Sequence, residues 1–133
     1  MKIKTILMSI ALLTIVTGCS TRIVDLTVAS TKNMNLDSTG LVTTGRVSGA
    51  DTVPIIFNVP IGAIDMKEAI DDAIEQDSCG VGLTDVVVSH EFFAFIFGYV
   101  EYNVEGNLIV DSKVNGCKQY ADPSYVKPIP VVD

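Results

Sequence analysis

The sequence has little of the chemistry from which most enzyme active sites are built. It contains one histidine, His90, among 133 residues. A Ser-His-Asp triad or a histidine-based metal site would have to use that single imidazole. The sequence patterns of a nucleophile elbow, a phosphate-binding loop and a dinucleotide-binding loop are also absent. We therefore expect no enzyme activity, no bound metal and no other cofactor.

Positive charge is scarce as well. The chain has nine Lys and Arg residues against sixteen Asp and Glu residues. Residues 1–18 contain two of the basic residues and no acidic one, so the rest of the chain carries a net charge of −9. Nucleic acid is therefore an unsuitable partner, because affinity for it comes from neutralising phosphates with Lys and Arg. The chain also lacks a polybasic patch for anionic lipid headgroups.

The N-terminal apolar run is too short to cross a bilayer. It covers residues 6–16, about eleven residues, whereas a membrane-spanning helix needs roughly 20. Lys2 and Lys4 precede the run and small residues follow it, which is the pattern of a secretory signal peptide. An uncleaved transmembrane anchor is the alternative, and the short run disfavours it.

Residues 16–19 (Val-Thr-Gly-Cys) resemble the lipobox of bacterial lipoproteins. This resemblance implies that Cys19 is acylated, with palmitate or a similar chain, and that residues 1–18 are cleaved. Residues 19–22 would then be a lipidated tether in the cell envelope. Ser20 stands where an aspartate often retains such proteins at the inner membrane, which favours the outer membrane, facing the periplasm or the surface, if the organism has one. A secreted chain without lipid is the alternative.

Two cysteines remain, and they form an even pair. Disulfides persist in exported proteins, so we expect a bridge between Cys79 and Cys117. That bridge would close a loop of about 39 residues, worth about 4 kcal/mol in a chain-entropy estimate. Two free thiols and a metal pair are the alternatives, although zinc would need two further ligands.

The hydrophobic pattern predicts an α+β fold in one domain, residues 23–119. We expect a mainly antiparallel sheet of about five to six strands with one amphipathic helix packed on a face. Alternation of Val24, Leu26 and Val28 with polar or small residues predicts the first strand. Residues 41–48 and 53–59 predict the next two, with residues 49–51 as a break. Strands after residue 81 include a hairpin turn at residues 105–107, and residues 120–133 form a proline-rich extended tail.

The clearest local element is the helix. Asp65 is the expected N-cap, and Glu68 three residues later completes a capping-box pattern. The helix is expected over residues 66–77, with Gly80 as a left-handed C-terminal cap. Its apolar stripe follows helical spacing and consists of Met66, Ala69, Ile70, Ala73 and Ile74.

Short motifs along the chain resemble a known group of proteins. They lie at residues 29–33 (Ala-Ser-Thr-Lys-Asn), 47–51 (Val-Ser-Gly-Ala-Asp), 60–62 (Pro-Ile-Gly), 66–73 (Met-Lys-Glu-Ala-Ile-Asp-Asp-Ala), 83–88 (Leu-Thr-Asp-Val-Val-Val) and 102–106 (Tyr-Asn-Val-Glu-Gly). This series resembles the TRL-like group of small bacterial envelope lipoproteins, whose function is unassigned. The resemblance covers most of residues 19–112. It implies an α+β domain on a lipid tether and supplies no catalytic residues.

Three features are candidate sites. His90 and Glu91 are neighbours on a predicted strand, so they point to opposite faces and do not readily share a ligand. Residues 92–97 are predicted to be a strand buried on both faces, or a β-bulge that turns a core residue inward. The functional alternative is an exposed aromatic edge that binds a partner or a membrane surface through Phe92, Phe93, Phe95 and Phe97. An acidic helix face could bind a cation or a basic partner, or be simply solvated, and consists of Glu68, Asp72 and Glu75.

These observations lead to two functional hypotheses. The first is a non-enzymatic binding or structural module, anchored to the membrane through lipid on Cys19, that contacts an envelope protein or a second copy of itself. The alternative is a periplasmic module that binds a small ligand or a cation on its acidic face.

Overall fold

The computed structural model describes residues 19–125, which contain five strands, one α-helix and a short 3-10 helix. The chain forms β1 (Cys19–Ala29), β2 (Leu41–Ile56), β3 (Val59–Pro60), α1 (Met66–Glu75), β4 (Gly80–Phe93) and β5 (Phe97–Asp111). The 3-10 helix follows at Lys118–Ala121. Among these described residues, no helix is long and apolar enough to span a membrane.

All strand pairs in the sheet are antiparallel, and the strand order is β1-β4-β5-β2-β3. Because β5 lies antiparallel between β2 and β4, those two strands run parallel to each other and α1 connects them. This is a split β-α-β arrangement. The α+β fold with one helix on an antiparallel sheet is confirmed, and the described part has five strands.

The core lies between α1 and one face of the sheet. Helix residues Ala69, Ile70, Ala73 and Ile74 are buried, as the sequence pattern predicts. On the sheet, Val24 and Leu26 pack against this core as predicted, whereas Val28 is 46% exposed. The largest fully buried side chains are Ile74, Leu83, Val86, Val88, Val104 and Val110.

The predicted break at residues 49–51 is wrong, because β2 runs without interruption from Leu41 to Ile56. Gly49 is buried inside this strand and lies against α1. A Cβ on Gly49 would come within 2.4 Å of the Ala69 carbonyl oxygen. Because glycine has no Cβ, Gly49 allows the helix to pack closely against the sheet.

The predicted turn at residues 105–107 is also wrong, because these residues lie in the middle of β5. The hairpin between β4 and β5 turns instead at residues 94–96. Residues 92–97 are therefore the end of a hairpin and not a buried strand. Phe92, Phe95 and Phe97 are exposed there.

Helix α1 begins as predicted and ends two residues early. Asp65 is the N-cap, and its side chain accepts a hydrogen bond from the Lys67 backbone N–H at 2.8 Å. In a complete capping box, the Asp65 N–H would donate to the side chain of Glu68. Here that N–H donates to the Asp51 carboxylate instead, at 2.7 Å. Gly80 is not the C-cap, which is Gln76. Gly80 instead opens β4, where a Cβ would come within 2.3 Å of the Ile74 carbonyl oxygen.

The predicted disulfide between Cys79 and Cys117 is confirmed. It ties the segment after β5 to the loop before β4. Tyr120 follows in the 3-10 helix and is 5% exposed, so residue 120 does not begin an extended tail as predicted. Residues 126–133 of the predicted tail lie outside the described residues.

Candidate functional site

Cys19 lies within the sheet rather than on a tether. It is the first residue of β1 and is directly opposite Phe92 of β4. Residues 19–22, predicted to be a lipidated tether, all belong to this strand. The Cys19 side chain is exposed and its thiol is free. The predicted signal peptide, residues 1–18, lies outside the described residues.

Two hairpin turns gather exposed apolar side chains at the end of the sheet where Cys19 lies. One turn joins β2 to β3 at Phe57 and Asn58, and the other joins β4 to β5 at residues 94–96. They contact each other, because the Phe57 N–H donates to the Ile96 carbonyl at 2.8 Å and the Phe57 and Phe97 rings lie 6.1 Å apart. We name this surface the apolar tip; it consists of Ile56, Phe57, Val59, Ile61, Phe92, Phe95, Ile96 and Phe97.

All five phenylalanines of the chain lie in these two turns and the strand ends beside them. None of them belongs to the buried core, which is built from Val, Ile, Leu, Ala, Cys and Tyr. Phe57 is 73% exposed and Phe95 is 62% exposed. Large exposed apolar patches of this kind mark interaction surfaces on soluble domains.

Charge is excluded from the same end of the molecule. Residues 53–64 and residues 92–100 contain no Asp, Glu, Lys or Arg. The charged side chains nearest along the strands are acidic: Glu91 on β4 and Glu101 on β5, which lie directly opposite each other. The apolar tip is therefore bordered by negative rather than positive charge.

The acidic residues of α1 are engaged in holding the fold together. The Asp72 carboxylate accepts a hydrogen bond from the Ala50 N–H of β2 at 3.1 Å. Glu75 lies 3.6 Å from the Lys32 ammonium group. Glu68 lies in the first helical turn, where a negative charge is favourable to the helix dipole. The predicted partner-binding role of these three residues stays a prediction.

Lys67 and Asp71 form an ion pair on the same helix. The Lys67 ammonium group donates to the Asp71 carboxylate one turn later, and the Thr31 hydroxyl donates to the same carboxylate. The bond from Lys67, followed by that from Thr31, lowers the pKa of Asp71 below its usual range. The same bond raises the pKa of Lys67. These contacts fix the loop after β1 onto the helix.

His90 and Glu91 lie on opposite faces of β4. His90 is paired with Tyr102, with the rings 5.5 Å apart in an edge-on arrangement. Glu91 accepts from the Tyr99 hydroxyl at 3.5 Å. Within residues 19–125, no group of three or more His, Cys, Asp or Glu side chains could hold a metal ion.

The surface also has shallow concavities. One of about 350 Å³ lies between β1 and β4 and is lined in part by Arg22, Asp25 and Asp85. Another of about 330 Å³ lies beside Tyr120 and Tyr125. Neither brings together the residues that the sequence singled out.

Part of the apolar tip was missed by the sequence analysis. The sequence pattern indicates residues 92–97 as a candidate site, whereas it predicts only a strand at Phe57, over residues 53–59, and no role for Ile61. A signal was present, because residues 53–64 form the longer of the two uncharged stretches. Strand pairing places that stretch beside residues 92–97, at the end of the sheet where Cys19 lies, so the two stretches together form the apolar tip.

In comparisons with known proteins, the chain matches no family model, no curated protein and no solved structure.

Proposed function

We propose that this chain is a lipid-anchored protein of the bacterial cell envelope. Its α+β domain is a non-enzymatic binding or structural module that contacts another envelope component. The observation that carries the proposal is the position of Cys19, exposed at the start of β1 and beside the apolar tip. Acylation needs an accessible thiol, and the lipid would then hold that end of the domain near the membrane. In an organism with an outer membrane, that membrane is the expected location.

The apolar tip is the contact surface in this proposal. Scattered exposed apolar residues are ordinary, but here eight lie in two contacting hairpin turns and the strand ends beside them, and they include four of the five phenylalanines. Such a cluster costs free energy when it is left in water, so it is expected to be covered in the assembled envelope.

The alternative, a small-ligand or cation-binding module on the acidic face of α1, has weaker support. Asp72 and Glu75 already have partners within the domain, the Ala50 N–H and Lys32. A cation bound by these carboxylates would have to compete with both contacts.

The anchor is tested by expressing the full chain in bacteria and analysing its N-terminal tryptic peptide by mass spectrometry. We expect a peptide that starts at Cys19, ends at Arg22 and carries acyl chains. Cys19→Ser should abolish both acylation and cleavage, whereas Cys117→Ser should leave them intact. An unmodified Cys19 in protein from the membrane fraction would refute the lipid anchor.

The contact surface is tested by photo-crosslinking in living cells. A photoreactive phenylalanine analogue replaces Phe95 in one strain and Leu36 in a control strain. Leu36 is 72% exposed but lies in the loop at the opposite end of the sheet. We expect an adduct with a lipid or protein at position 95 and a much weaker one at position 36. Equal labelling, or none at position 95, would refute the tip as the contact surface.

A further inference from the structure

We propose that the partner of the apolar tip is the lipid bilayer itself, into which the two hairpin turns insert beside the acyl chains on Cys19. This inference rests on the proposed lipid anchor at Cys19. It also specifies the orientation of the domain relative to the membrane. The strands run roughly along the membrane normal, and the apolar tip points into the bilayer.

The register of the sheet places Cys19 in the row of residues from which the apolar tip extends. Cys19 is opposite Phe92, Phe92 is opposite Val100, and Val100 is opposite Val53. One row of residues thus crosses four strands from the lipidation site to the edge of the sheet. Both hairpin turns lie at the end of the sheet where β1 begins with Cys19.

The apolar tip extends far enough beyond Cys19 to reach the boundary between lipid headgroups and acyl chains. From Val100 to Phe97, β5 continues three residues beyond the Cys19 row. At about 3.4 Å per residue, this is about 10 Å. The apolar faces of amphipathic helices that lie on a membrane are buried roughly 5–10 Å into the boundary between headgroups and acyl chains, which gives a depth for comparison. Acyl chains held at the Cys19 row would therefore bring the hairpin turns to that boundary.

The short distance between lipid and fold favours the bilayer over a protein partner. Since β1 begins at Cys19 itself, no flexible spacer separates the acylated residue from the sheet. A protein that covered the tip would have to fit between this end of the domain and the membrane to which the same end is anchored. A second copy of the chain on the same membrane would face the same obstacle.

The chemistry of the tip matches the bilayer interface. Its side chains are aromatic and aliphatic, and charge begins only with the Glu91 and Glu101 row, one residue beyond Cys19. Tyr99 lies between that row and the tip and points its hydroxyl toward Glu91. Tyrosine at headgroup level, with apolar residues beneath it, is the usual order at a membrane interface.

The backbone of Phe57 lies in the left-handed region. Its φ is 48°, and that of the next residue, Asn58, is 63°. Positive φ at both central residues is typical of a tight two-residue hairpin turn, where Gly, Asn or Asp is favoured. A bulky residue pays a steric cost at such a position. The sequence nevertheless places its most exposed phenylalanine there, which fits an inserted side chain.

The test uses the absence of tryptophan from the chain. Phe95→Trp and Leu36→Trp each introduce one fluorescent reporter at an exposed position, so neither should disturb the fold. The full-length, acylated protein is purified in detergent and reconstituted into phosphatidylcholine vesicles, and acylation of Cys19 is checked by mass spectrometry. Lipids brominated in the acyl chains then quench a reporter that enters the bilayer, and acrylamide quenches one that stays in water.

We expect the Phe95→Trp variant to lose more than half of its fluorescence to brominated lipid and to be protected from acrylamide. The Leu36→Trp variant should show the opposite response. Because the tip is bordered by acidic side chains, replacing part of the phosphatidylcholine with an anionic lipid should not deepen insertion, and high salt should not release it.

The outcomes separate this inference from the proposed function. If Cys19 is not acylated in the protein from cells, the proposed anchor fails. If Cys19 is acylated but the Phe95→Trp variant behaves like the Leu36→Trp variant, the anchor stands and insertion is overturned. If the Phe95→Trp variant is protected from acrylamide but not quenched by brominated lipid, a second copy of the chain covers the tip, and insertion is again overturned.

Discussion

Gly49 of β2 lies so close to α1 that a Cβ on it would come within 2.2 Å of the Ala73 backbone nitrogen. The contact is made between main chains, so no rotamer change could relieve it. The flanking residues add hydrogen bonds to the same helix, from Gln76 to the Ser48 carbonyl and from the Ala50 N–H to Asp72. Residues 48–50 are therefore the docking site of the helix on the sheet.

Gly49→Ala should destabilise the domain by about 1–3 kcal/mol, because the added methyl group forces α1 away from the sheet. Urea unfolding followed by far-UV circular dichroism measures the loss. Ala50→Ser is the matched control, since its side chain is exposed on the other face of the same strand. A Gly49→Ala variant as stable as this control would contradict the close approach.

This docking site explains one error of the sequence analysis. Gly49, Ala50 and Asp51 have the composition of a turn, and in isolation a glycine in a strand is ambiguous between a break and a close contact. The helix could be predicted because its cap at Asp65 and its apolar stripe are local signals. The contact between helix and strand is a tertiary feature, so the motif at residues 47–51 gave no indication of its role.

The disulfide between Cys79 and Cys117 should contribute about 2–4 kcal/mol to the free energy of unfolding. Reduction should lower the urea midpoint, and trypsin should then cut more readily after Lys113 and Lys118. The Cys19→Ser variant should respond to the reductant in the same way, because its missing thiol is not part of the bridge. A midpoint that is the same with and without reductant would argue against the bridge.

Tyr120 is predicted to make the domain sensitive to alkaline pH. Its hydroxyl donates to Asp77 at 2.6 Å in a buried site. Burial, followed by this hydrogen bond, raises the pKa of Tyr120 well above its usual value of about 10. The protonated form is thus favoured in the folded state. The raised pKa stabilises the folded state, and this stabilisation is fully present below about pH 10. It is lost as the pH rises through the folded-state pKa.

Tyr120→Phe should therefore cost about 1–3 kcal/mol at neutral pH, since Asp77 loses a buried donor. Above pH of about 10 the difference between wild type and variant should shrink, because only the wild type loses the favourable protonated tyrosine. Tyr125→Phe is the control, since Tyr125 is 42% exposed. A difference that stays constant or grows with pH would be inconsistent with this linkage.

The apolar tip shows which part of a site can be predicted from one sequence. The uncharged stretch at residues 92–97 was visible, but a short apolar run is equally compatible with a buried strand and with an exposed hairpin. Its neighbour at residues 53–64 is about 30 residues earlier in the chain. The pairing of β2 with β5 joins the two stretches, and the pairing of β1 with β4 brings Cys19 to them. Such long-range pairing leaves no local trace in the sequence.

One edge of β2 is largely open. Beyond the short pairing of Ile55 and Ile56 with β3, this edge has no neighbouring strand within the described part of the chain. Asp72 of α1 and the C-cap residue Gln76 take the place of a neighbouring strand by bonding Ala50 and Ser48. An unprotected edge of this kind invites pairing with another chain.

Asp72→Ala should cost about 1 kcal/mol in urea unfolding and increase self-association in sedimentation velocity, because it frees the Ala50 N–H. Glu68→Ala is the matched control. Glu68 and Asp72 are four residues apart on α1, so removing either carboxylate relieves the same like-charge repulsion. Removing Glu68 also loses its favourable interaction with the helix dipole, so self-association, rather than stability alone, reports the bond from Asp72 to β2. If the control loses as much stability and associates as strongly, the acidic face affects the helix alone and Asp72 does not protect the edge.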